Sequence, residues 1–299
     1  MTVTELKTGS LTALALLAFA GNSVLCRLAL DSGQIDAGSF TVIRLVSGAL
    51  ALWLLLALRH FWSACDSEPD STATQQRGHW CSAALLFTYA AAFSYAYISL
   101  DTGVGALILF ASVQFTMIGY GFWRGQRLTS LEWLGLAVAL VGFVYLVAPA
   151  LTSPSLVGFV LMVLAGMAWG GYSLMGRGAS NPTRKSAQNF IYTAPFVAVL
   201  ALASLNGAEV TPRGVQLAIA SGALASGMGY AIWYAALRNL SSTLASVSQL
   251  IVPVIAALGG VVWVGEPLGL RLLISGFLVL GGIFLVTIST RPPAQGRSA

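Results

Sequence analysis

Phe19-Ala20-Gly21-Asn22-Ser23-Val24-Leu25-Cys26-Arg27 returns 150 positions later as Trp169-Gly170-Gly171-Tyr172-Ser173-Leu174-Met175-Gly176-Arg177. Aromatic meets aromatic, Gly21 meets Gly171, Ser23 meets Ser173, and an arginine closes both copies. A period of half the chain means two homologous halves, not a short solenoid repeat. Each copy lies inside an apolar run long enough to cross a bilayer, so the chain reads as one membrane bundle written twice.

Composition agrees. Charged residues are 8% of the 299, where soluble domains hold about 25%. Mean hydropathy is +0.82. Glycine is enriched, as in closely packed membrane helices. The net charge of +5 does not point to nucleic acid, because the basic residues are scattered singly between apolar runs. Cys26, Cys65 and Cys81 have neither disulfide nor metal-ligand spacing, and no cofactor or metal is expected. The N-terminus imitates a signal peptide, with Lys7 ahead of an apolar stretch from Leu11 to Ala20. Its repeat partner at 161–180 cannot be a signal, so the first stretch is expected to stay as a helix.

A membrane helix needs about 20 mostly apolar residues. That length divides the chain into ten spans: 10–30, 38–58, 81–99, 103–123, 131–148, 156–176, 187–206, 214–236, 243–263 and 271–289. The expected organisation is a tail over 1–9, a first five-helix repeat over 10–148 with a polar loop at 59–80, a linker at 149–155, a second repeat over 156–290 and a tail over 291–299. Lysine and arginine gather on the side that carries both termini, including Lys7, Arg59, Arg77, Arg124, Arg127, Arg184 and Lys185. The opposite loops hold only Arg213 and Arg271, so both termini are expected in the cytoplasm.

Five spans per half is an odd number, so the second half enters the membrane upside down. Gly125-Gln126-Arg127-Leu128 and Gly265-Glu266-Pro267-Leu268 read as equivalent turns on opposite sides, and Gly142 and Gly282 keep the same offset. The expected fold is an all-α polytopic membrane protein with ten helices in two inverted five-helix repeats. Such repeats build many secondary transporters, with the substrate near the midplane between them. Some channels share the plan; transport by a carrier is the reading taken here.

These features resemble the drug/metabolite transporter superfamily, EamA type, along nearly the whole chain. Trp169-x-x-Tyr172 and Tyr230-x-x-Trp233 further resemble the YddG-type exporters of aromatic and neutral amino acids. The chain departs from that pattern at Val113, where a proline is expected, while the repeat partner Pro253 is kept. The resemblance implies an inner-membrane exporter of amino acids, with the bilayer and a small molecule as its partners, acting as a monomer or homodimer.

The residues themselves outline a cavity. Tyr89, Phe93 and Tyr97 fall on one helical face at i, i+4 and i+8. Trp169 and Tyr172 come from span six, and Tyr230, Trp233 and Tyr234 from span eight. Asn22 and Ser23, Gln114, Ser246 and Gln249 add mid-span amides and hydroxyls, which are costly in hydrocarbon unless partnered. Each aromatic taken alone could equally pack against lipid, and each amide could bond a neighbouring helix; the convergence of five helices favours a cavity. Rings and amides together suit a small amphipathic solute. Cationic drugs are the second substrate class, although no acid lies at mid-span to hold them.

Arg27 and Arg44 are the expensive residues, each costing about 2.5–3.5 kcal/mol at a helix centre on insertion scales. Arg27 reads as a helix-end residue that reaches toward water. Arg44 could pair with Asp31, Asp36 or Asp101 as an outer latch, or contact a substrate carboxylate. No Asp, Glu or His falls at mid-span, and proton-coupled carriers usually carry such a group, so facilitated diffusion is expected ahead of proton antiport. The same absences, with no P-loop and no paired carboxylates, argue against an enzyme. Gly21, Gly170, Gly171, Pro195 and Pro253 are the hinge candidates, and Gly135, Ala139, Gly142, Ser275 and Gly282 read as packing seams.

A reporter fused after Glu209 and another after Arg297 should lie on opposite sides of the membrane, periplasm and cytoplasm respectively. Reporter activity on one side for both would remove the inverted plan.

Overall fold

The computed structural model describes residues 3–63, 80–125, 128–147, 156–176, 181–237, 239–240 and 248–289. The described residues are helical apart from short turns and one isolated bridge between Ile35 and Val210. In chain order the helices are α1 (Val3–Asp31), α2 (Ala37–Ser63), α3 (Trp80–Ala96), α4 (Thr102–Trp123), α5 (Ser130–Val147) and α6 (Leu156–Gly176). They continue with α7 (Pro182–Tyr192), α8 (Ala194–Ser204), α9 (Pro212–Ile219), α10 (Gly229–Leu237), α11 (Val252–Gly259) and α12 (Leu270–Ser289). Two wider π-helical stretches are inserted without a break: Ala220–Met228 joins α9 to α10, and Gly260–Val264 prolongs α11.

Among the described residues, six helices are long and apolar enough to cross a membrane, α9 to α10 counted as one, and the bent pair α7–α8 would make a seventh. Three further apolar helices, Trp80–Ala96, Ser130–Leu146 and Val252–Val264, are shorter. Large apolar side chains stand outward, with Phe277 81%, Val262 70% and Leu202 69% exposed. A solvent-facing surface of that kind would be an aggregation hazard in water, whereas hydrocarbon accepts it.

Local sequence explains most helix ends. Asn181 and Thr211 accept hydrogen bonds from the backbone N–H groups of Arg184 and Gly214, each followed by a proline in the first turn. Thr129 and Glu132 exchange hydrogen bonds as a capping box ahead of α5. Gly125 and Gly265 end α4 and the α11 extension with φ of 84° and 81°, a left-handed conformation open to glycine. Pro195 has no N–H for the preceding turn, and α7–α8 bends there by 40°; Thr193 Oγ1 donates to Phe190 O at 2.6 Å beside the bend. The first helix begins at Val3, inside the region expected as a tail, because nothing before Leu11 breaks it; Thr8 Oγ1 there accepts from Asn239 at 3.3 Å. The helix of the second span also continues past residue 58, to Ser63. Residues 64–79, the linker at 149–155 and the tail at 291–299 lie outside the described residues.

Small residues allow close backbone approach. α6 lies between α3 and α4, and α1 lies against both α10 and α11. α5 packs along α12. A Cβ on Gly135 would stand 2.6 Å from Gly282 O, and one on Gly142 would stand 2.5 Å from Leu278 Cβ and 3.1 Å from Ser275 O. A Cβ on Gly282 would collide with Gly135 O, whereas Gly281 next to it meets nothing within 4 Å.

Gly282→Val should therefore lower the melting temperature of the detergent-purified protein, overpacking of this kind costing about 1–3 kcal/mol. Gly281→Val should leave it unchanged. Equal effects of the two substitutions would show that the α5–α12 seam is not tightly packed.

Candidate functional site

The central cavity is built by five stretches of helix. α1 supplies Phe19, Asn22 and Ser23; α3 supplies Tyr89 and Phe93; α4 supplies Leu109 and Phe110; α6 supplies Trp169; the first π-helical stretch and α10 supply Ala225 and Tyr230. It encloses about 20 Å³, room for a single water molecule. An amphipathic solute enters only if the helices separate.

The wall is a run of touching rings. Trp169 is the hub, with ring centroids 4.8 Å from Tyr89, 5.0 Å from Tyr230 and 5.5 Å from Tyr172. Phe19 packs edge-on to Tyr230 at 6.0 Å and to Trp233 at 5.9 Å. Phe93 sits 5.5 Å from Tyr89 and 4.8 Å from Tyr97. Of the three rings on the face of α3, Tyr89 and Phe93 reach the cavity. Tyr97 lies beyond it, its hydroxyl donating to Thr102 O at 3.3 Å. Tyr172 and Trp233 form a second ring layer; Tyr172 OH accepts from Asn189 Nδ2 at 3.4 Å.

A polar cluster closes one wall. Asn22 Nδ2 donates to Tyr89 OH at 3.2 Å, and Ser221 Oγ donates to Asn22 Oδ1. Arg44 Nη2 donates to the same Tyr89 oxygen at 3.0 Å. Its guanidinium lies 5.1 Å from the Tyr89 ring centre and 4.7 Å from that of Phe93. Arg44 is 1% exposed, its Nη1 has no hydrogen-bond partner, and no ion pair reaches it among the described residues.

The ion cluster forms around the other arginine. Arg27 meets Asp31 at 2.8 Å, Glu266 at 3.1 Å and Asp101 at 3.8 Å, and donates to Tyr97 O at 2.9 Å. Its side chain is 11% exposed, a tethered group instead of one reaching freely to water. Glu266 also accepts from Thr102 N at 2.8 and 3.0 Å, which places its charge on the positive N-terminus of α4. The cluster thus joins the end of α1, the turn after α3, the start of α4 and the turn before α12. Beside it Asp36 N donates to Glu209 O at 2.9 Å, and Thr211 N donates to Gln34 O at 2.9 Å. Arg44 takes no part. Asp31 and Asp101, considered as its partners, go to Arg27, and Asp36 accepts from Ser39 N at the start of α2.

The remaining expected residues are more dispersed. Gln114 is buried away from the cavity lining, Tyr234 and Gln249 are half-buried, and Ser246 lies outside the described residues. Among the hinge candidates, Pro195 sits at the α7–α8 bend and Pro253 in the first turn of α11. Gly170 packs against Thr116, Gly171 faces Leu85, and Gly21 has open space where a Cβ would be. Sequence reasoning did not select Phe19, Leu109, Phe110, Ala225, Ser221 or Glu266. Phe19 opens the repeated stretch and was visible there; the others have neutral neighbours or lie in loops, and no spacing singles them out.

The EamA-like transporter family matches over residues 156–288. The chain is 49% identical over 289 residues to an uncharacterized protein of Pseudomonas aeruginosa, covering 97% of this chain and 96% of that one. It is 24% identical over 294 residues to an uncharacterized transporter of Archaeoglobus fulgidus, covering 94% and 97%. It is 20% identical over 258 residues to the uncharacterized transporter YoaV of Bacillus subtilis, covering 84% and 87%. A crystal structure of a protein 18% identical superposes with a TM-score of 0.63 over 94% of this chain and 98% of that one, a likeness of fold.

The ion cluster should behave as one unit. In a double-mutant cycle of Arg27→Met and Glu266→Gln, unfolding of the purified protein should show a coupling of about 0.5–3 kcal/mol. Additive effects would mean that the pair holds nothing together.

Proposed function

We propose that this chain, which belongs to the EamA-like transporter family, exports amino acids, aromatic and other neutral ones first, through the ring-lined cavity. The carrying observation is the cavity itself, in which Asn22 and Tyr89 from the first half meet Trp169 and Tyr230 from the second. Broad ring faces and a few fixed polar groups suit a solute with an apolar body and one polar end.

The ten-span, inverted plan belongs to this proposal. It takes α7–α8 as one span, α9–α10 as one, and the three shorter apolar helices as spans as well. The packing supports it by its symmetry. With an offset of 140 residues, Gly135 corresponds to Ser275 and Gly142 to Gly282; Gly135 touches Gly282, and Gly142 touches Ser275. A contact of i with j′ and of j with i′ is what a two-fold axis produces. The interior repeats the pattern, since α6 packs on α3 and α4 where α1 packs on α10 and α11.

In this reading both termini face the cytoplasm of a bacterial inner membrane, and the Arg27 cluster closes the periplasmic end. Four of the turns expected outside are bonded there among the described residues, with Asp31, Asp101 and Glu266 on one arginine and Gln34 bonded to Thr211. Alternating access follows from opening that end and closing the other, with Pro195 and Pro253 as bending points. Facilitated diffusion is preferred because the polar groups at the cavity are amides, hydroxyls and a guanidinium. Cationic drugs are the less favoured cargo, since the fixed charge beside the cavity is positive.

Uptake of labelled phenylalanine and alanine into proteoliposomes tests this. Both fluxes should persist when the proton gradient is collapsed, and Trp169→Ala should change their ratio in protein of near-normal melting temperature. A flux that vanishes with the gradient would replace facilitated diffusion by antiport. Equal loss of both fluxes together with general destabilisation, about 3–5 kcal/mol for a core tryptophan, would make Trp169 a packing residue only.

A further inference from the structure

The hydrogen bonds around Tyr89 have a direction. A phenol oxygen can accept hydrogen bonds and carries one proton of its own to give. At Tyr89 two N–H donors, Asn22 Nδ2 at 3.2 Å and Arg44 Nη2 at 3.0 Å, point at the oxygen. Asn22 Oδ1 is itself engaged by Ser221. The Tyr89 O–H is therefore left over as a donor, on a residue that lines the cavity. Directly behind it, Arg44 Nη1 is a second buried donor with nothing to donate to.

Donors thus accumulate at one end of the cavity with no acceptor bonded to them among the described residues. A buried guanidinium usually finds a carboxylate, because an unpaired charge away from water is expensive. Arg44 has two ring faces and one phenol oxygen instead, which offset only part of that expense. The other end of the cavity has the reverse character. Trp169, Tyr230, Phe19 and Leu109 offer rings and aliphatic surface, and no acidic side chain is among the lining residues to hold an ammonium.

We infer that the Tyr89–Arg44 pair is a carboxylate subsite, so that the cavity takes organic carboxylates with an apolar body and does not require their amino group. This rests on the cavity being the solute path and narrows its cargo. Binding would give Arg44 the anion it lacks, as the cavity widens enough for an oxygen to reach Tyr89 O–H and Nη1. A charge-assisted hydrogen bond of this kind is worth about tenfold or more in affinity.

The test uses the purified full-length protein and three probes that share one ring: phenylpropionate, phenylalanine and phenethylamine. Both carboxylates should raise the melting temperature of the wild type, and phenethylamine should not. Tyr89→Phe, which keeps the ring, should raise the half-saturating concentration of phenylpropionate about tenfold or more; Arg44→Lys should weaken it too, because an ammonium cannot make the paired contact. Stabilisation by phenethylamine equal to that by phenylpropionate, no stabilisation by either carboxylate, or an unchanged half-saturation in Tyr89→Phe would each overturn the inference. Phenylpropionate binding without any amino acid flux into vesicles would defeat the exporter reading and leave the subsite standing. Equal flux of phenylalanine and phenethylamine would do the opposite.

Discussion

The hydroxyl of Tyr89 is where three helices and the second half of the chain are tied together. It accepts from Asn22 on α1 and from Arg44 on α2, while its own helix is α3 and its ring rests on Trp169 of α6. Through Asn22 the chain of bonds reaches Ser221, in the π-helical stretch that leads to α10. Inside a bilayer a polar group left unpaired loses several kcal/mol of hydration without return. Each of these side chains is consequently held where its partner is, and the rings between them inherit that order. The cavity wall is precise because a small polar network, buried and mostly satisfied, fixes the rings around it.

The two intramembrane arginines are resolved in opposite ways. Arg27 has three carboxylates and two backbone carbonyls within reach, so its charge is more than balanced. Arg44 is more deeply buried and has none of these. Structural need accounts for the first: the cluster pins loops from both halves at one end of the bundle. It accounts for the second only in part: the bond to Tyr89 ties α2 to α3, but Nη1 has no hydrogen-bond partner and no carboxylate pairs with the guanidinium among the described residues. If the cavity takes carboxylates, an anion arriving there would meet the charge that the resting bundle leaves unmatched.

Much of this was legible in the sequence, for physical reasons that can be named. Helical periodicity put Tyr89 and Phe93 on one face of α3, and the repeated stretch contained Phe19, Asn22 and Trp169, which line the same cavity. Composition made the membrane class plain, and the family match agrees with the transporter reading. Gly125 and Gly265, expected from the sequence to form turns, both adopt a left-handed backbone. Periodicity within a helix says nothing about which neighbour a side chain meets. That is why Tyr97, on the same face as Tyr89, lies past the cavity, and why the acids went to Arg27 instead of Arg44. Glu266 looked like a loop carboxylate because its partners, Arg27 and Thr102, are far away in sequence. The two π-helical stretches leave no spacing signature at all, since one extra residue per turn is absorbed by glycine and small side chains around Gly222 and Gly260.

Rigidity and mobility are distributed unevenly, and the distribution bears on how a cavity of about 20 Å³ could admit a solute. α5 and α12 meet backbone to backbone, with Gly135 against Gly282 O and Gly142 against Ser275 O, leaving no slack for sliding. That pair is suited to stay fixed while the rest moves. The interruptions lie in other helices: the 40° bend at Pro195, the proline at the start of α11, and two π-helical stretches. An interrupted helix can change direction at the break without giving up its whole ladder of hydrogen bonds, and π-helical stretches often mark such sites. Two of the four interruptions adjoin the cavity or the ion cluster directly, since Ala225 lines the cavity and Gly260 faces both Glu266 and Thr102. Gly260 of the α11 extension lies against Glu266 of the ion cluster, and α11 packs on α1, whose Asn22 donates to the Tyr89 hydroxyl. The ion cluster and the cavity, although built from different residues, are thus joined through two contacting helices.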